Sequence, residues 1–214
     1  MTKDQITSLI KKLNTPKKVQ DFLDKIPFNF EEGRETYMSP SKMFQNKKAH
    51  CFEGAIFACF CLQRHKIENY LLDLKVKDLK KDSDHTLCIF KINGFWGAIS
   101  KTNHSVLRFR DPIYKNVREL AMSFFHEYFL DSGEKTLSSF SKPFDIWKKF
   151  GTSWITEVED LDTIAEALDK SPHTNFTPKE NIKFVRPAGK TEVRGAAIKE
   201  WQKTKKMIKL LNEK

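Results

Sequence analysis

Apolar residues recur at helical spacing near the start of the chain: Ile6, Leu9, Ile10 and Leu13, then Val19, Phe22 and Leu23. That spacing predicts helices over 5–13 and 16–25, with Thr15-Pro16 as the cap and first helical position of the second. Residues 28–48 are polar and irregular, broken by Gly33 and by Ser39-Pro40. From 51 to about 64 the pattern changes. Ala55, Ile56, Ala58, Cys59 and Leu62 surround the cylinder, which predicts a helix buried on every side.

The period then shortens to two. Residues 70–76 (YLLDLKV) alternate as a strand does, and 77–84 form a charged loop. Residues 85–92 and 95–100 predict two strands joined by Asn93-Gly94, a dipeptide suited to a tight hairpin. A further extended segment covers 108–114, with Pro112 near its end. An amphipathic helix is expected over 117–130 through Leu120, Phe124, Phe125, Tyr128 and Phe129. After it, 133–153 reads as irregular, 160–168 as helix, 171–186 as loop, and 195–211 as a lysine-rich helix. Helices, then antiparallel strands, then helices is an α+β order. It divides the chain into a leading segment (1–48), a core (49–130) and a helical C-terminal extension (131–214).

Composition narrows this picture. The 214 residues suffice for one domain with appendages, and 39% hydrophobic content with 18 Phe supplies a real core. The formal charge of +10 suits a polyanion or an acidic partner and says nothing about fold. The polar start MTKDQITSLIKKL lacks the apolar stretch of a signal peptide, and no run reaches the ~18 residues of a membrane span. A cytoplasmic protein without a membrane partner is therefore expected. The four cysteines, at 51, 59, 61 and 88, form no CxxC pair, so reduced thiols and no metal or cofactor are expected.

Cys51 carries the chemistry. A thiol attacks as thiolate, which a helix N-terminus and a nearby imidazolium both favour. Cys51 stands at a predicted helix start, and His85 opens a strand after the charged loop. Folding about Asn93-Gly94 brings residues 100–102 opposite His85, where a group that orients the ring belongs. His50, next to Cys51, reads either as an assistant to the thiol or as a first-turn capping residue. Cys59, Cys61 and Cys88 read as core.

The stretches AHCFEGAIFACFCLQRHKI and DHTLCIFKINGFWGAIS resemble the transglutaminase-like branch of the papain-like cysteine enzymes. His85 and Trp96 lie 11 residues apart, as in members with a tight hairpin, and the similarity spans roughly 49–100, about a quarter of the chain. The resemblance implies a transglutaminase-like core in which a buried Cys-bearing helix packs on an antiparallel sheet. It further implies Cys51 as nucleophile, His85 as proton carrier, and Trp96 beside the cysteine cleft. Trp96 and His50 are the candidate substrate-binding residues. A second similarity, to an uncharacterised prokaryotic group, rests on HCFEGA and FWGAISKTNHSVLRFRDPIY and implies no activity. Family members usually place Asp at the end of the return strand. Here Ser100 occupies that place, with Asn103 shortly after and Asp111 as a further alternative.

The expected function is a peptidase or amidase acting on a peptide or carboxamide through a thioester. Ser100 in the place of Asp motivates an alternative, a catalytically inactive binding or scaffold protein. The basic stretch KEWQKTKKMIKLLNEK motivates a third, association with nucleic acid or an acidic partner.

Overall fold

The computed structural model describes residues 3–31 and 33–200. Helices α1 (Lys3–Lys12) and α2 (Pro16–Leu23) occupy the expected places, and Thr15 Oγ1 accepts from Lys18 N–H to cap α2. The chain repeats this device at Ser39-Pro40. Ser39 Oγ accepts from Lys42 N–H, and Pro40 opens a short helix, α3 (Pro40–Asn46). Its interior buries only Met43 and Phe44, too few apolar positions to show a period. Helix α4 (Cys51–Arg64) is buried without a break from Phe52 to Cys59, and again at Cys61 and Leu62.

Six strands form one antiparallel sheet: β1 (Glu68–Val76), β2 (His85–Ile92), β3 (Phe95–Ile99), β4 (Arg110–Tyr114), β5 (Leu137–Ser141) and β6 (His173–Asn175). Their order is β4-β3-β2-β1-β5-β6. Asn93 and Gly94 both have positive φ, +50° and +87°, as a primed two-residue hairpin turn requires. Leu71, Cys88, Phe90 and Ile99 pack on one face with α1 to α4. Leu72, Leu74, Leu87, Ile89 and Ala98 pack on the other with α5 (Val117–Phe125). Coverage on both faces explains why β2 buries six successive residues from His85 to Phe90.

Three expectations change. The C-terminal extension is not purely helical, because β5 and β6 join the sheet beside β1. The three serines of LSSFS conceal that strand, which pairing with β1 stabilises at Leu74↔Phe140. It also supplies α6 (Ile146–Phe150), α7 (Asp162–Asp169) and α8 (Lys190–Ala196). Helix α5 ends at Phe125 rather than continuing to 130, since Phe129 bridges Lys135 in an extended turn. The lysine-rich helix expected over 195–211 begins earlier, as α8, and stops at Ala196. Ser105 N–H then donates to Ile198 O, and Glu200 N–H to Asn103 O, so the chain is extended there. Residues 201–211 of that expectation, and with them most of the basic stretch, lie outside the described residues. No helix among the described residues is long and apolar enough to cross a membrane.

Candidate active site

The start of α4 is built by His50 and Glu53. His50 is the cap, its Nδ1 accepting from Phe52 N–H at 3.2 Å, while Glu53 Oε2 reaches back to accept from His50 N–H at 2.9 Å. The arrangement is a capping box with histidine in the role usually filled by Ser or Thr. Glu53 is fully buried and also accepts from Thr36 Oγ1 at 2.9 Å and Met38 N–H at 3.2 Å. This fastens residues 36–38 to the helix start. Cys51 is partly exposed there, its Sγ 3.8 Å from His50 Nδ1.

The second imidazole comes from the sheet. His85 is the first residue of β2, and its Nε2 lies 2.8 Å from Ser100 Oγ just past the end of β3. The bond to Ser100 leaves Nδ1 for the cysteine side. Ser100 is itself held rigidly, for Gln20 of α2 accepts from its N–H at 3.0 Å and donates to its carbonyl at 2.9 Å. Next door, buried Lys101 donates to the carbonyls of Leu23 and Ile26 at the end of α2. Desolvation holds its ammonium down to about 8. Gly54 lets α4 approach this corner, since a Cβ there would stand 2.3 Å from Lys101 Cβ.

Burial pushes the Cys51 thiol up, but hydrogen bonds from His50 and His85 and the attraction of both rings overcome it and hold the thiol at about 6. Desolvation pulls His50 down, and the sulfur, Glu53 and the Thr36 carbonyl more than reverse this, raising it to about 10. Its Nε2 faces Thr36 O, with Glu31 Oε1 at 3.2 Å, so that nitrogen carries its proton in either state. A second proton, on Nδ1, exchanges the bond from Phe52 N–H for one to the thiolate.

Cys51 stands where two clefts meet, one of about 640 Å³ and one of about 220 Å³. Asp82, Ser83 and Asp84 form a wall common to both. His85, Asn103 and Tyr128 line the smaller cleft, and the Tyr128 hydroxyl donates to Ser83 O at 2.6 Å.

The structure thus brings Cys51, His50, His85 and Ser100 together. Asn103 lines the smaller cleft, but the hydroxyl on the histidine ring is that of Ser100. Asp111 is exposed on β4, away from the ring. Trp96 lines neither cleft, which corrects its expected position beside the cysteine. It pairs with Lys91 at the turn end of the hairpin, six residues along β2 from His85, or about 20 Å. There it packs on Tyr70 and under Lys91 Nζ. The buried Cys59, Cys61 and Cys88 are core, as expected, with Cys59 and Cys88 sulfurs 3.3 Å apart.

Sequence reasoning missed Glu53, although Glu three residues after a cap is a capping-box signal. It also missed Gln20 and Lys101, which no local pattern connects to Ser100, and it took Asp84 as loop charge. Asp73, Asp84 and Asp169 place ligand oxygens within 4.8 Å of one another. Internal partners already occupy this group: His173 Nε2 on Asp73, Lys75 Nζ on Asp169 and Val76 N–H on Asp84.

Burial lifts the Asp84 carboxyl to about 6, and neighbouring Asp73 and Asp169 add to the rise. Its folded value therefore exceeds its unfolded one, so ionisation destabilises the fold as pH climbs from about 4 to 6. Asp84→Asn retains an acceptor for Val76 N–H. The variant should melt about 2–4 °C higher than the parent at pH 7.5, with a much smaller difference at pH 4. Equal shifts in melting temperature at the two pH values would contradict this origin.

The chain matches no family model and no curated protein.

Proposed function

We propose that the protein is a cysteine hydrolase of the peptidase or amidase type, with a transglutaminase-like core. One observation carries the reading: a partly exposed thiol at a helix start, between two imidazoles, is held at about 6 and opens on a cleft. In the proposed cycle the Cys51 thiolate attacks the carbonyl carbon of an amide, and an S–C bond forms. The C–N bond breaks as His85 gives its proton to the leaving amine. Water then attacks the thioester with His85 taking one proton. The C–S bond breaks, a carboxylic acid departs, and the Cys51 thiolate and protonated His85 are restored. The Cys51 amide, first of α4, is the donor suited to the oxyanion. Ser100 Oγ accepts from Nε2–H of the histidine cation, stabilising it less than a carboxylate would.

That last feature favours the second reading, a binding protein that retains the constellation without turnover. A panel of fluorogenic peptide amides separates the two. The enzyme reading expects hydrolysis, a mass increment on Cys51 when the reaction is quenched early, and loss of both in Cys51→Ala by at least about 10³-fold. Equal rates for parent and Cys51→Ala would leave the binding reading.

A further inference from the structure

The chain carries a formal charge of +10, yet the larger cleft beside Cys51 runs against it. Among the described residues sixteen line it, of which seven are acidic and none is Lys or Arg. Helix α7 turns Asp162, Glu166 and Asp169 to the cleft, positions i, i+4 and i+7 of one helical face. The sheet supplies Asp73 on β1, and the loop before β2 supplies Asp82 and Asp84.

Some of this charge is already met. Lys75 pairs with Asp169 at 2.7 Å, Lys170 with Glu166 at 2.8 Å, and His173 with Asp73 at 3.1 Å. Among the described residues, Asp82, Asp84, Asp162 and Glu35 have no basic partner within ion-pair distance. A concave wall of one sign focuses its field into the cavity and raises the local concentration of the opposite charge. The wall includes Asp82 and Asp84, which also border the smaller cleft containing His85. The acidic wall therefore extends to the cleft that holds His85.

We infer that the larger cleft selects peptides by a cationic side chain, an ammonium or guanidinium lying along the Asp82, Asp84 and Asp162 wall while the adjoining carbonyl meets Cys51. This rests on Cys51 being the nucleophile. It accounts for a fixed negative surface in a cleft of a basic protein, where an acidic peptide would be repelled.

Charged thiol reagents read the field without needing turnover, because Cys59, Cys61 and Cys88 are fully buried. Trimethylammonium-ethyl and sulfonatoethyl methanethiosulfonate are compared, their rates normalised to those with free cysteine, and neutral iodoacetamide serves as reference. The cationic reagent should react with Cys51 at least about tenfold faster than the anionic one. The ratio should shrink in 0.5 M salt and in the double variant Asp162→Asn/Glu35→Gln. A normalised ratio of one or below overturns the inference.

Matched peptide amides with Arg or Glu beside the scissile bond form the second arm, with at least about tenfold higher kcat/KM expected for Arg. Equal rates overturn the inference, as does incorporation of a free amine in place of hydrolysis, which would put the cation on the acyl acceptor. Cleavage of neither peptide, with the reagent preference intact, would remove the hydrolase reading while the charge selection stands.

Discussion

Replacing Glu53 with alanine is expected to destabilise the protein by about 3–5 kcal/mol, the range for breaking a buried charge network. Glu53 is fully buried, and its two oxygens serve the amides of Met38 and His50 and the hydroxyl of Thr36. Truncation would leave the Met38 and His50 amides unpaired inside the fold, each at a cost of about 1–3 kcal/mol, while Thr36 Oγ1 keeps Glu31 as acceptor. It would also release residues 36–38 from α4, and with them the Thr36 carbonyl that holds His50 Nε2. Glu53→Gln preserves the shape but turns an amide NH2 toward donors, so its loss should be intermediate. Urea denaturation measures both, and a loss below about 1 kcal/mol for Glu53→Ala would show that the network is not what anchors the helix start.

The second large effect belongs to Gly54. Helix propensity alone would favour alanine there by about 1 kcal/mol. Against that, the added methyl would stand 2.3 Å from Lys101 Cβ and 3.0 Å from Cγ. Lys101 cannot yield easily, because its Nζ is tied to the carbonyls of Leu23 and Ile26. Overpacking of this kind costs about 1–3 kcal/mol, and the alanine preference offsets about 1 of it, so Gly54→Ala should be less stable by up to about 2 kcal/mol. Cys51 lies one helical turn before Gly54. Displacing α4 therefore also parts the sulfur from His85, and the thiol should titrate higher in the variant. A more stable protein with unchanged thiol titration would contradict the close approach of helix and sheet end.

Much of this corner is legible in the sequence because its determinants are local. Buried character all round the helix from Cys51, the Asn93-Gly94 turn and the strand opening at His85 together place a thiol, an imidazole and residue 100 in one region. What the sequence hides is tertiary. Gln20 meets the Ser100 backbone across 80 residues, and nothing near either position announces the pair. Trp96 shows the opposite failure. Its hairpin forms about Asn93-Gly94 as the dipeptide predicts, but register places it at the turn end, far from the end where His85 lies. The strand β5 was lost for want of alternation, because its pairing with β1 rather than its own side chains makes it a strand. The acidic wall had a periodic signal in α7, but only the folded chain shows that this face and Asp82 and Asp84 surround one cavity.

The activated thiol is tested most directly by the rate of Cys51 alkylation with iodoacetamide as a function of pH, since the other cysteines are buried. The predicted midpoint is about 6 in the parent, and His85→Ala should raise it by about one unit or more. The rate at pH 6.5 should fall by a smaller factor than thiolate fraction alone implies, because a more basic thiolate is intrinsically more nucleophilic. A parent midpoint at about 8.5, unmoved by His85→Ala, would mark Cys51 as an ordinary cysteine and contradict the account.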